Sequence, residues 1–162
     1  MAVLQWSESL SLELPEMDET HREFVALLAR VETADDAHLV AAWRALVDHT
    51  ADHFGREDAW MRSTGFSSAN CHTVQHRVVL EVMCEGLVQG LKGQNEAIRQ
   101  MARELAVWFV QHAQTMDAAL ALHLRSVGFD LAAMSPPLEQ DAHALPNQTG
   151  HADPRHARSA TA

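Results

Sequence analysis

Seven side chains define the chemistry open to this chain: His21, His53, Glu57, His72, His76, His112 and Asp117. His53 and Glu57 stand four residues apart, as do His72 and His76. That spacing stacks side chains one turn apart on one face of an α-helix. Neutral imidazole nitrogens outnumber anionic oxygens in the set, a balance that suits two transition-metal ions better than magnesium or calcium. One such histidine alone would be an ordinary core or surface residue. Seven donors turned into one core without metal would bury polar groups that each need a partner. The pattern therefore predicts a two-metal site.

Four helices are needed to position these donors. Residues 1–16 read as an arm, with Trp6, Leu10, Leu12 and Leu14 available for packing and Pro15 placed just ahead of a helix. The first helix is predicted over about 18–32, with Phe24, Leu28 and Val31 on the stripe of His21. After a break at Thr33–Asp36 that holds N-cap candidates, a second helix runs to about Ser63. Its inward positions are Trp43, Leu46, Thr50, His53, Glu57 and Trp60. Gly65 suits a left-handed C-terminal cap, and Ser67 or Ser68 a cap for the third helix. That helix passes His72, His76, Val79, Met83 and Leu87 and is weakened near its end by Gly86 and Gly90. A fourth starts at Asn95 and carries Ile98, Met101, Leu105, Trp108, His112 and Ala119 inward before stopping at Gly128. Met83, Met101, Trp43 and Trp60 read as core packing. Short connections imply an all-α, antiparallel up-down-up-down four-helix bundle over residues 1–130. Residues 131–162, rich in proline and polar residues, read as a disordered tail.

Helical rise tests whether the donors meet at one level. Glu57 and His53 lie 8 and 12 residues before Gly65, and His72 and His76 lie 7 and 11 after it. Around Gly93, His76 and His112 are 17 and 19 residues away, a match within about 3 Å. His21 and His53, counted from Asp35, differ by about 6 Å, the loosest fit of the three. His112 and Asp117 are five apart, about 140° around an α-helix, so the aspartate is expected to approach from the flank and bridge two metals. His49, one turn before His53, is a support or an extra ligand. His38 and His123 are expected to face water, and His143, His151 and His156 belong to the tail.

The formal charge of -10 excludes a basic nucleic-acid-binding face. No apolar run approaches the roughly 20 residues of a membrane span, and no basic leader opens the sequence. Cys71 and Cys84 read as free thiols, which points to a reducing, cytoplasmic setting.

In its motifs the chain resembles the bacterial hemerythrins. The matching segments are Trp6 with Met17-Asp18-Glu19-Thr20-His21, and His53-Phe54-Gly55-Arg56-Glu57-Asp58 with Met61. They continue with His72-Thr73-Val74-Gln75-His76 and with Trp108-Phe109-Val110-Gln111-His112 and Asp117. The resemblance implies two iron ions (Fe2+/Fe3+) joined by an oxo or hydroxo bridge, with dioxygen as the partner. His72, His76 and His112 would hold one iron, and His21 and His53 the other, which keeps an open position. Glu57 and Asp117 would bridge the pair. Thr20, His49 and Asp58 stand where the family often has glutamine, tyrosine and glutamate. Phe109 and Ala113 replace its leucine and isoleucine beside Trp108, where the oxygen pocket is expected. Oxygen-activating di-iron enzymes carry Glu-x-x-His on two helices, and this sequence holds no such motif. Oxygen storage, delivery or sensing is the expectation. The alternatives are a di-iron enzyme reducing peroxide or nitric oxide, and a redox-sensing or oxygen-sensing interaction module.

Overall fold

The computed structural model describes residues 4–134. Four helical rods carry the fold: α1 (Pro15–Thr33), α2 (Leu39–Thr64), α3 (Ala69–Leu91) and α4 (Asn95–His112). A π-helical turn over Ala113–Asp117 then joins α4 to α5 (Ala118–Ser126), which continues the fourth rod. Consecutive helices pack together and α4 returns to α1, closing the up-down-up-down bundle. Among the described residues there is no strand, and no helix is long and apolar enough to cross a membrane. The tail expected over 131–162 lies outside the described residues from position 135 onward. Leu131 itself is buried among Leu12, Met17 and Leu124.

The helix ends follow from local chemistry. Pro15 occupies the first turn of α1, where its missing N–H costs nothing. Gly65 ends α2 at φ 63° and donates its N–H to the Met61 carbonyl. Ser68 takes the cap position of α3 without a side-chain hydrogen bond, contrary to expectation; its backbone carbonyl instead accepts from the His72 N–H. The residue at the start of α2 is His38, whose N–H donates to Asp35 Oδ1 at 3.0 Å. The arm is pinned by Asp18, which accepts from the Leu12 N–H at 2.7 Å and the Ser11 hydroxyl at 2.6 Å.

Two apolar clusters flank a polar level. One joins Phe24, Leu28, Trp43, Leu46, Met83, Ile98 and Phe109. The other joins Met17, Trp60, Met61, Leu120 and Leu124. On α1, α2 and α3 the donors fall between the two, and on the fourth rod Asp117 does. Gly86 does more than weaken α3: a Cβ there would meet Met101 Sδ at 2.5 Å and the Trp43 indole at 3.1 Å. The glycine lets α3 approach its neighbours closely.

Candidate metal centre

All seven donors are buried, none more than 3% exposed. Each rod delivers its share by helical phase: His21 from α1, His53 and Glu57 from α2, His72 and His76 from α3. His112 closes α4, and Asp117 closes the π turn. The two were expected to splay around an α-helix. In the π turn the ladder steps to i+5, with the Ala118 N–H donating to the Ala113 carbonyl, so residues five apart lie one above the other. Asp117 therefore faces the same interior as His112, and their Oδ1 and Nε2 are 3.1 Å apart. The extra residue also shifts the inward face beyond it. Ala119 is exposed instead of inward, and Leu120, Ala121 and Leu124 are buried. His123, expected in water, is partly buried, with Nε2 donating to the Thr64 carbonyl at 3.3 Å.

The loose fit between the first two helices also closes. The connection absorbs residues through 38, so His21 lies 12 residues before the end of α1 and His53 lies 14 after the start of α2. Their ring centroids are 5.1 Å apart.

Every imidazole turns Nε2 inward, and each carboxylate divides its oxygens between two sets of histidines. Glu57 Oε1 lies 2.9 Å from His53 Nε2 and 4.0 Å from His21 Nε2. Its Oε2 lies 3.3 Å from His76 and 3.6 Å from His72. Asp117 Oδ2 is 3.2 Å from His21 Nε2, while Oδ1 is 3.0 Å from His72 and 3.1 Å from His112. The donors thus form two overlapping groups, each with ligand atoms within 4.8 Å of one another. One contains His72, His76 and His112, the other His21 and His53, and both share Glu57 and Asp117.

Burial and the neighbouring Asp117 charge push the Glu57 carboxyl up, but His53 and His76 outweigh them and hold it at about 2. Burial likewise opposes ionisation of Asp117, yet the closely facing His112, His21 and His72 imidazoles keep it well below the ordinary carboxylate range. His21 and His76 are lowered by burial but raised further by Asp117 and Glu57 respectively, so both end above the usual imidazole value. Both carboxylates are anionic.

These residues fit metal ions. His21 Nε2, His76 Nε2, Glu57 Oε2 and both Asp117 oxygens are buried and off the line a hydrogen bond needs, despite their short separations. His72 and His112 turn Nε2 atoms toward each other at 3.1 Å, where only a proton or a cation relieves opposed lone pairs. A dry core tolerates such a concentration of aimed donors when cations satisfy it.

Around the donors, Phe54 lies flat on His76 at 3.9 Å and Trp108 on His112 at 4.4 Å. Phe109 stacks on Phe24 and meets His21 edge-on at 5.2 Å. The three residues expected at the oxygen pocket separate accordingly. Phe109 and Ala113 are in the core, while Trp108 is partly buried against His112 and lines a groove between α3 and α4. His49 belongs to neither donor group; its Nε2 donates to the Thr20 carbonyl at 3.2 Å, and burial with nearby His53 lowers its pKa. Sequence reasoning gave no role to Gln75 and noted Asp58 only as a replacement for the family's glutamate. Asp58 accepts from His76 Nδ1 at 2.9 Å and Gln75 Oε1 accepts from His112 Nδ1 at 3.1 Å. Their signal was position: Asp58 follows Glu57 directly, and Gln75 precedes His76.

The rods and the donor level define a class of protein: a four-helix bundle whose buried His/Glu/Asp cluster suits a metal site. Within that class, the Hemerythrin HHE cation binding domain matches residues 13–122, and the chain belongs to the hemerythrin family. It is 36% identical over 130 residues to the bacteriohemerythrin of Ralstonia nicotianae, covering 80% of this chain and 95% of that one. The bacteriohemerythrin of Stenotrophomonas maltophilia is 26% identical over 127 residues, 75% of this chain and 81% of its own. A crystal structure of a hemerythrin mutant shares the fold at a TM-score of 0.70, with 19% identity over 76% of this chain and 98% of that chain.

Proposed function

We propose that the seven donors hold two iron ions and that the centre binds dioxygen reversibly, as a store, carrier or sensor and not as an enzyme. The observation that carries this reading is the division of both carboxylates. Glu57 and Asp117 each turn one oxygen to the His21/His53 side and the other to the side of His72 and its partners, the disposition of bridging ligands. His72, His76 and His112 would complete one iron, and His21 and His53 the other, leaving that second ion the poorer in protein ligands. Held there, an iron pair supplies reversible two-electron exchange with dioxygen.

The chain's own contribution is a fixed and dry enclosure. Two carboxylates held ionised offset cationic charge without help from solvent. Phe109, buried and stacked on Phe24, walls the site beside His21. Excluding water there protects a bound oxidant from proton leakage and side reactions, which favours release over turnover.

The test is anaerobic. Ferrous protein should contain two irons per chain, and admitting oxygen should develop a visible absorption band that bleaches under vacuum over repeated cycles. Irreversible oxidation on first exposure, with no band that vacuum removes, would overturn reversible binding. Sustained turnover of peroxide or nitric oxide with a reductant would move the reading to an enzyme.

A further inference from the structure

The outward nitrogens of the five imidazoles are not supported equally. His76 Nδ1 donates to Asp58 Oδ1, and that same oxygen is fixed by the Thr73 hydroxyl at 3.0 Å. His112 Nδ1 donates to Gln75 Oε1. Both supported rings belong to the group of three histidines. Among the described residues, Nδ1 of His21 and Nδ1 of His53 are buried and have no hydrogen-bond partner. In the three-histidine group only His72 Nδ1 is in that position. Flat stacking of Phe54 on His76 and Trp108 on His112 further restricts the two supported rings.

An acceptor behind a ligating imidazole fixes its tautomer and orientation and raises the basicity of the inward nitrogen. A carboxylate does this more strongly than a neutral carbonyl, because the hydrogen bond is charge-assisted. Thr73, Gln75 and His76 lie on α3 while Asp58 lies on α2, so the Asp58 bond also ties the two helices together one residue beyond Glu57.

We infer that Asp58 and Gln75 are positioning residues that make the two metal positions unequal. The position among His72, His76 and His112 fills first and empties last; the position at His21 and His53 fills second and is the first to be lost. This rests on the reading of the seven donors as metal ligands.

Metal-free full-length protein titrated anaerobically with ferrous iron should then bind two ions in two resolved steps. Asp58→Ala should weaken the tighter step by about 10–100-fold, and Asp58→Glu should restore much of it. Gln75→Ala should weaken the same step by a smaller factor, and it provides an independent check should Asp58→Ala fail to fold. His53→Ala should remove the weaker step alone, and adding Asp58→Ala to it should then weaken the step that remains. Two equal steps in the unaltered protein, or an Asp58→Ala loss confined to the weaker step, would overturn the inference. Binding of fewer than two ions by the unaltered protein would instead overturn the two-metal reading beneath it.

Discussion

Glu57 carries more of the site than any other residue, because four of the five histidines approach its two oxygens. Its role follows from charge as well as shape. Glu57→Gln keeps the volume and one acceptor oxygen but removes the anion that would lie between the metals, and its amide turns a donor toward imidazole or metal. The variant should fold and bind fewer than two ions. A ligand present at 100 times its Kd stabilises a fold by about 2.7 kcal/mol, or about 5–10 °C in a domain of this size. Chelation should therefore lower the melting temperature of the unaltered protein by roughly that amount and lower that of Glu57→Gln by less. An equal chelator response in both proteins would remove Glu57 from the ligand set. Residue types and spacing made this part legible in the sequence: His53–Glu57 and His72–His76 sit on regular helix, where four residues always return to the same face. Asp58 and Gln75 were not legible from residue type, since nothing in their identity distinguishes an acceptor behind an imidazole from a solvated surface residue; only their places beside Glu57 and His76 marked them.

The fourth rod shows where reading by periodicity fails. A constant step of 3.6 residues carries Ile98, Leu105 and His112 correctly inward and then assigns Ala119 to the core, although it is exposed. One extra residue in the π turn moves the face along, so that Asp117, Leu120 and Leu124 are buried. The signal was present as an apolar pattern that loses phase: Leu120 and Leu124 are one position late relative to the upstream stripe. The turn therefore acts as a phase insertion, and two edits at exposed Thr115 separate phase from composition. Deleting Thr115 leaves His112 and the aspartate four apart, which an ordinary α-helix also places on one face. That protein should fold and keep two metal ions. Inserting an alanine after Thr115 should rotate Asp117 and α5 by about 100°, turning Leu120 and Leu124 toward water. Metal capacity should fall below two and the melting temperature should drop. Equal tolerance of both edits, read by metal content and thermal unfolding, would mean that the phase of this rod does not set the site. Helix pairing and donor height needed no such detail, because short connections and a fixed rise per residue constrain them strongly.

At the scale of the whole molecule, the proposed metal site places folding, protons and metal on one polar level between two apolar clusters, and the three should be coupled. In metal-free protein His21 and His76 titrate above the unfolded imidazole value, each after burial has been outweighed by a facing carboxylate. A raised imidazole contributes stability that is complete below about pH 6.5 and is lost as pH rises through the folded value. Glu57 and Asp117 run the opposite way. Their depressed values contribute stability present above about pH 4 and lost as pH falls toward the folded values. These four groups should therefore give the metal-free bundle its greatest stability between about pH 4.5 and 6.5, with a decline through neutrality. Metal ions held by these imidazoles would displace the same protons, so their binding should strengthen as pH rises. The gap in melting temperature between metal-loaded and chelated protein should accordingly widen from pH 5.5 to about pH 8, in part because the chelated form loses stability over that range. Thermal unfolding of both forms at matched ionic strength measures the gap directly. A gap that stays constant across this window would mean that metal and protons do not compete for His21 and His76, and the donor level would then not be the place where metal stabilises the fold.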